Sequence, residues 1–197
     1  MGLILDYEDG QTPLDEDEKE GLLIPTIATR AELDEFEQQN IEHAIQWTFG
    51  RRLRVDTILS EDFIKAMHKR MYGEVWAWAG EFRHSNKNIG VDKWQIATEL
   101  KNLLDDAGYW IQNATYPPDE WALRFKHRLV SIHCFSNGNG RHSRLMADVL
   151  IEKVAGLPVF TWGRSYLSTP AARAAYLHAM KSADLHDIQP LLIFARA

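Results

Sequence analysis

The stretch His133-Cys134-Phe135-Ser136-Asn137-Gly138-Asn139-Gly140-Arg141-His142-Ser143-Arg144 lies between two apolar runs, Leu123 to Ile132 and Leu145 to Val154. Both runs read as helices, and the residues between them as the turn that joins the two. Gly138, Asn139 and Gly140 reach backbone angles closed to most residues, which lets successive N–H groups converge on one point at a helix start. Such a nest takes an anion. Arg141 and Arg144 stand three apart, share a face of the following helix and bring two guanidinium groups beside the nest, so two or more phosphates are the natural guest. His133, at the other edge of the turn, is a side chain that takes a proton near neutral pH. Polyphosphate beside a base points to phosphoryl-group or nucleotidyl transfer.

Outward from this turn the pattern stays helical. Thr29 or Arg30 precedes Glu32, and Leu33, Phe36, Asn40, Ala44 and Trp47 follow at spacings of three and four, with Ile41 and Ile45 widening the apolar face. Glu37 lies on that face, where an acid is costly unless paired. A second helix is expected from about Ser60, as N-cap, to Tyr72, and others at about Trp94 to Asn113, Pro118 to Ile132, Gly140 to Val154 and Thr169 to Ala183. Between Phe82 and Val91 the turn formers Asn86, Lys87, Asn88 and Gly90 predict a small hairpin. The fold class expected is mainly α, a helical bundle with one hairpin. Residues 1–28 form an acidic N-terminal arm, whose plainest reading is a solvated tail, and residues 29–197 a single domain.

Composition narrows the function. A chain of 197 residues, 45% hydrophobic, buries a core without a disulfide or structural metal, and the single cysteine, Cys134, allows neither an internal disulfide nor a thiolate cage. No apolar run approaches the ~18 residues of a membrane span, and the N-terminus is acidic rather than basic then apolar, so a cytoplasmic protein without a membrane partner is expected. Residues 1–20 hold eight acids against one base, Lys19, which leaves the rest of the chain within one charge of neutral. That balance is unlike a nucleic-acid binder. The histidines show no paired metal-ligand spacing.

The turn resembles the signature of the Fic (Fido) family, His-x-Phe-x-(Asp or Glu)-Gly-Asn-Gly-Arg-x-x-Arg, at His133, Phe135, Gly138, Asn139, Gly140, Arg141 and Arg144. Trp78-Ala79-Gly80-Glu81-Phe82-Arg83 resembles the approach to that family's flap, and Gly10-Gln11-Thr12-Pro13-Leu14 is similar to the subgroup called mobile mystery protein B. The resemblance spans roughly Thr29 to Ala183. It implies a Fic-type helical bundle with a flap, and a nucleotidyltransferase that moves AMP from ATP to a hydroxyl of a target protein. In that reading His133 is the base, and Gly138, Asn139, Gly140, Arg141 and Arg144 hold the phosphates. Phe135 anchors the turn, and Lys87, Asn88 and Ile89 of the flap hold the target by backbone pairing. Asn137 stands where the family carries a carboxylate for Mg²⁺, so Mg²⁺ is expected there on a neutral amide oxygen. Glu37 is the candidate inhibitory residue, expected to pair with Arg144. Three alternatives stand beside the transferase: a nucleotide-binding regulatory protein acting through a small protein partner, a transfer of phosphate or UMP, and the removal of AMP.

Overall fold

The computed structural model describes residues 12–163 and 170–197, and over these the architecture is helical. In chain order the elements are α1 (Glu16–Lys19), α2 (Arg30–Phe49), α3 (Val55–Ile58), α4 (Glu61–Tyr72), a 3₁₀ turn (Lys93–Gln95), α5 (Ile96–Gln112), α6 (Pro118–Ile132), α7 (Asn139–Lys153), α8 (Pro170–Asp184) and α9 (Gln189–Arg196). The expected start of α8, Thr169, lies outside the described residues, as do Gly10 and Gln11.

Local chemistry sets the boundaries. Thr29 caps α2 by accepting from the Glu32 N–H at 3.3 Å, while the Glu32 carboxylate accepts from the N–H groups of Thr29 and Ala28 at 3.0 Å each. This reciprocal cap is worth about 1 kcal/mol. Ser60 caps α4 by accepting from the Phe63 N–H at 3.2 Å. α6 has Pro118 in its first turn, where a missing N–H costs nothing, and stops at His133, whose φ of 58° is left-handed. α2 packs on α4, α5 on α6, α6 on α7 and α8 on α9. Ile64, Met67, Leu100, Leu103, Ala122, Phe125, Met146 and Leu150 are among the buried residues of the common core. α9 lies beyond the helices expected from sequence. The Ala195 carbonyl accepts from the N–H groups of Thr161 and Trp162, and Arg196 pairs with Asp119, so tertiary contacts hold this eight-residue helix.

Two expectations are corrected. The hairpin over Arg83 to Val91 is absent: among the described residues the β-type pairing is an isolated antiparallel bridge between Leu22 and Trp76. Side chains take the groups a ladder would use. Arg83, itself buried, donates from Nε to the His133 carbonyl at 2.6 Å, from Nη1 to that of Ser85 at 2.7 Å and from Nη2 to that of Val91. Asn86 bridges the Asp92 carboxylate and the Lys93 N–H at 2.8 Å each. The second correction concerns the solvated tail. Over its described part the arm packs on the body: Leu14 and Ile27 are buried, the Leu23 N–H donates to the Val75 carbonyl, and the Trp78 indole donates to the Glu18 carbonyl.

The interior holds imidazoles that are neutral by necessity. His142 is buried with Nε2 3.1 Å from the Ile64 carbonyl, and burial pushes its pKa down to about 4 from 6.5. The folded state therefore disfavours the protonated ring. Its contribution to stability is complete above the unfolded pKa and is lost as pH falls from 6.5 towards 4, about 2 kcal/mol of it by pH 5. Urea unfolding at pH 7 and pH 5 is expected to show the lower midpoint at pH 5, and His142→Asn to narrow the gap.

Candidate active site

The turn between α6 and α7 is closed by its own residues. The Asn139 Oδ1 accepts from the Phe135 N–H at 3.0 Å, and Asn139 Nδ2 donates to the Phe135 carbonyl at 2.7 Å. The side chain expected on the phosphates is thus turned to Phe135, leaving the Asn139 backbone N–H for a guest. Phe135 is fully buried, stacked on His68 with ring centroids 3.7 Å apart and edge-on to His142 at 5.2 Å. His68 Nδ1 accepts from the Gly80 N–H at 3.0 Å, so in the neutral ring its proton is on Nε2, which donates to the Asn137 carbonyl at 3.0 Å. Burial above all holds the His68 pKa well below the usual value and keeps that tautomer.

His133 ends α6 beneath the segment after Arg83. The Arg83 N–H donates to the Cys134 carbonyl and the Val91 N–H to the Ile132 carbonyl, which straps the segment to the helix end. Gly90 runs against His133: at its φ of 97° a Cβ would stand 2.6 Å from the His133 Cβ. His133 is 4% exposed, and burial first, then the charge of Arg83, lowers its pKa to about 4. At neutral pH it is a proton acceptor. Its Nε2 lies 3.2 Å from the Thr12 Oγ1 of the N-terminal arm. Cys134 beside it is buried, and burial raises its thiol pKa to about 12.

Arg141 and Arg144 project from the first turns of α7. The predicted Glu37–Arg144 pair is replaced by Glu37–Arg141, with Oε2 2.6 Å from the Arg141 Nη2. Glu37 Oε1 also accepts from the Trp76 indole at 2.7 Å, so both carboxylate oxygens are engaged. Arg144 lies over the Tyr176 ring at 5.6 Å, and the Tyr176 hydroxyl is 2.5 Å from the ammonium of the fully buried Lys126. Burial pushes Lys126 down from its ordinary pKa. Lys126 was not singled out by the sequence, because a lysine inside an apolar helix reads as an edge residue.

Of the flap residues, Asn88 and Ile89 are exposed, whereas the Lys87 side chain is 3% exposed and its ammonium meets Asp15 at 2.8 Å and Glu18 at 2.5 Å. Asn137 donates from Nδ2 to the Thr12 carbonyl at 3.1 Å, and its Oδ1 accepts from the Gly138 N–H at 2.6 Å. Its one amide oxygen is neutral and already engaged, and among the described residues no cluster of three His, Cys, Asp or Glu is placed to hold an ion. The side chains present therefore do not fit a protein-built Mg²⁺ site.

The junction of α6 and α7 thus brings His133, the Gly138-Asn139-Gly140 start of α7, Arg141 and Arg144 together within one turn of a helical fold. Residues 58–151 match the model of the Fic/DOC family. The chain is 30% identical over 135 residues to the protein adenylyltransferase Fic of Drosophila grimshawi, covering 66% of this chain and 26% of that protein. It thus spans about a quarter of the length of the curated relatives it matches. Among solved structures, Fic-1 of C. elegans (residues 134–508) superposes with a TM-score of 0.68 at 25% identity, over 90% of this chain and 51% of that one. BepC of Bartonella tribocorum, a structure with bound AMPPNP, superposes with a TM-score of 0.67 at 17% identity, over 92% of this chain and 97% of that one. Among the described residues no helix is long and apolar enough to cross a membrane.

The Tyr72 ring fixes the turn from below. Gly138 has a φ of 76°, and a Cβ there would stand 2.5 Å from Tyr72 Cε2. Gly138→Ala must move a fully buried ring and strain the backbone, at a cost of about 1–3 kcal/mol. Thermal unfolding is expected to show that loss as a lower midpoint.

Proposed function

We propose that this chain transfers the AMP of ATP to a hydroxyl side chain of a protein, with His133 as the base. The observation that carries the reading is a buried imidazole with a hydroxyl oxygen 3.2 Å from its Nε2, on the turn that leads into the Gly138-Asn139-Gly140 start of α7 and on to Arg141 and Arg144. The likeness to adenylyltransferases over the same segment supports it. In the reaction, His133 Nε2 takes the proton of the acceptor hydroxyl as its oxygen attacks the α-phosphorus in line, and pyrophosphate leaves. The N–H groups at the start of α7 face the α- and β-phosphates, Arg141 neutralises the β-phosphate and Arg144 the γ-phosphate. This chemistry needs positioning and charge more than covalent help from the protein. Residues 29–197 serve as the transfer unit and residues 1–28 as an arm on it, and the thiol of Cys134 suits a reducing cytoplasm. The subgroup likeness of Gly10 to Leu14 belongs to the same proposal.

Glu37 restrains the site through Arg141. While the carboxylate holds that guanidinium, a β-phosphate must displace a buried, hydrogen-bonded partner. The second reading, a nucleotide-binding regulator with little transfer, is favoured by Asn137, which brings no negative charge and spends its oxygen inside the turn.

Incubation with α-labelled ATP and Mg²⁺, in the presence of a lysate, tests the proposal. Glu37→Gly is expected to raise labelling tenfold or more, since about 1.4 kcal/mol of recovered phosphate contact suffices. His133→Ala in that background is expected to lower it by about 10²–10⁴-fold. ATP binding without label in every form would favour the regulator, and Asn137→Asp would then be the first residue change to make.

A further inference from the structure

The arm does more than cover the site, because it brings a hydroxyl to the base. Thr12 is 7% exposed, and its Oγ1 is the partner of His133 Nε2 at 3.2 Å. The backbone that follows that hydroxyl is held by residues of the site. The Thr12 carbonyl accepts from Asn137 Nδ2 at 3.1 Å, and the Pro13 carbonyl lies 3.5 Å from the Lys87 ammonium. Further along, Asp15 and Glu18 pair with Lys87, the Ser85 hydroxyl donates to Asp15 at 2.7 Å, and Leu14 is buried. Pro13 restricts Thr12 towards an extended backbone, the conformation in which a chain lays one side chain at a time into a site.

We propose that Thr12 is an acceptor of the reaction, modified by its own chain. The inference rests on the transfer reading of the site given above. The Thr12 Oγ–H proton passes to His133 Nε2, in the tautomer that carries its proton on Nδ1. A bond forms between Oγ1 and the α-phosphorus of ATP, the bond from that phosphorus to the bridging oxygen breaks, and pyrophosphate leaves with the electron pair. The product is a phosphodiester between Thr12 and AMP. Because the acceptor is already part of the chain, the step is unimolecular once ATP is bound, and it ends after one AMP per chain. The arm also competes with any external target, since both need His133 and Lys87.

The full chain, wild type and Glu37→Gly, is incubated with α-labelled ATP and Mg²⁺, and the labelled peptide is mapped by mass spectrometry. Label on Thr12 that approaches one AMP per chain, at a rate constant unchanged over a tenfold range of protein concentration, is expected. Thr12→Val, close in shape but without the hydroxyl, is expected to lose that label by more than tenfold, and Thr12→Ser to keep it, with matching melting temperatures showing that both are folded. Label that appears elsewhere on the chain or on added protein, depends on His133 and survives Thr12→Val would overturn the inference and leave the transfer reading standing. A rate proportional to protein concentration would overturn the intramolecular step. Absence of label in every form, with ATP binding intact by calorimetry, would overturn the transfer reading and the inference together.

Discussion

The two hydrogen bonds between the Asn139 side chain and the backbone of Phe135 close the turn from which the site is built. They tie the first residue of α7 to a residue only three beyond the end of α6, so the two helices cannot part without breaking both. Phe135 then carries the closure into the core through its stack on His68. His68 returns to the turn by donating to the Asn137 carbonyl, while Tyr72 sets the height of Gly138. The position of His133 follows, since it is the left-handed residue that opens this closed turn. A proton acceptor at a loop edge is usually mobile. Here burial, Arg83 and the Gly90 backbone leave it one place to be.

In this state the cations around the turn have internal partners. Arg141 has Glu37, Lys87 has Asp15 and Glu18, and Lys126 has Tyr176. A polyphosphate entering here exchanges partners instead of meeting bare charges, so its net affinity is a difference between two sets of contacts. The acids that stand in for it come from two separate segments, α2 and the arm. Mutation of one set leaves the other in place, and the two should be separable in their effects.

The turn and its flanking helices were legible because their signals are local. Pro118 in a first turn, the Thr29 and Ser60 caps, and the apolar spacing of Leu33 to Ala44 each act within a few residues. Partner choice was less legible, because it depends on distances between elements. Glu37 stood out as an acid on an apolar face, yet Arg141 and Arg144 are one helical turn apart, and spacing along the chain does not say which of them it meets. The hairpin failed for a related reason. Its turn formers were read correctly as turn formers, but Arg83 satisfies the carbonyls that strand pairing would have used. The acidic arm read as solvated by composition, although Leu14, Leu22 and Ile27 supply enough apolar surface to lay it on the body.

Cys134 gives the turn a built-in clock. It stands in sequence between His133 and Phe135, is 1% exposed, and burial raises its thiol pKa to about 12. A reagent that modifies thiolates therefore meets it only when the strap from Arg83 to Val91 and the Phe135 stack release together. With one cysteine in the chain, the reaction has a single origin. Its rate follows the openings of the turn between α6 and α7, and any guest that holds the turn shut would slow it.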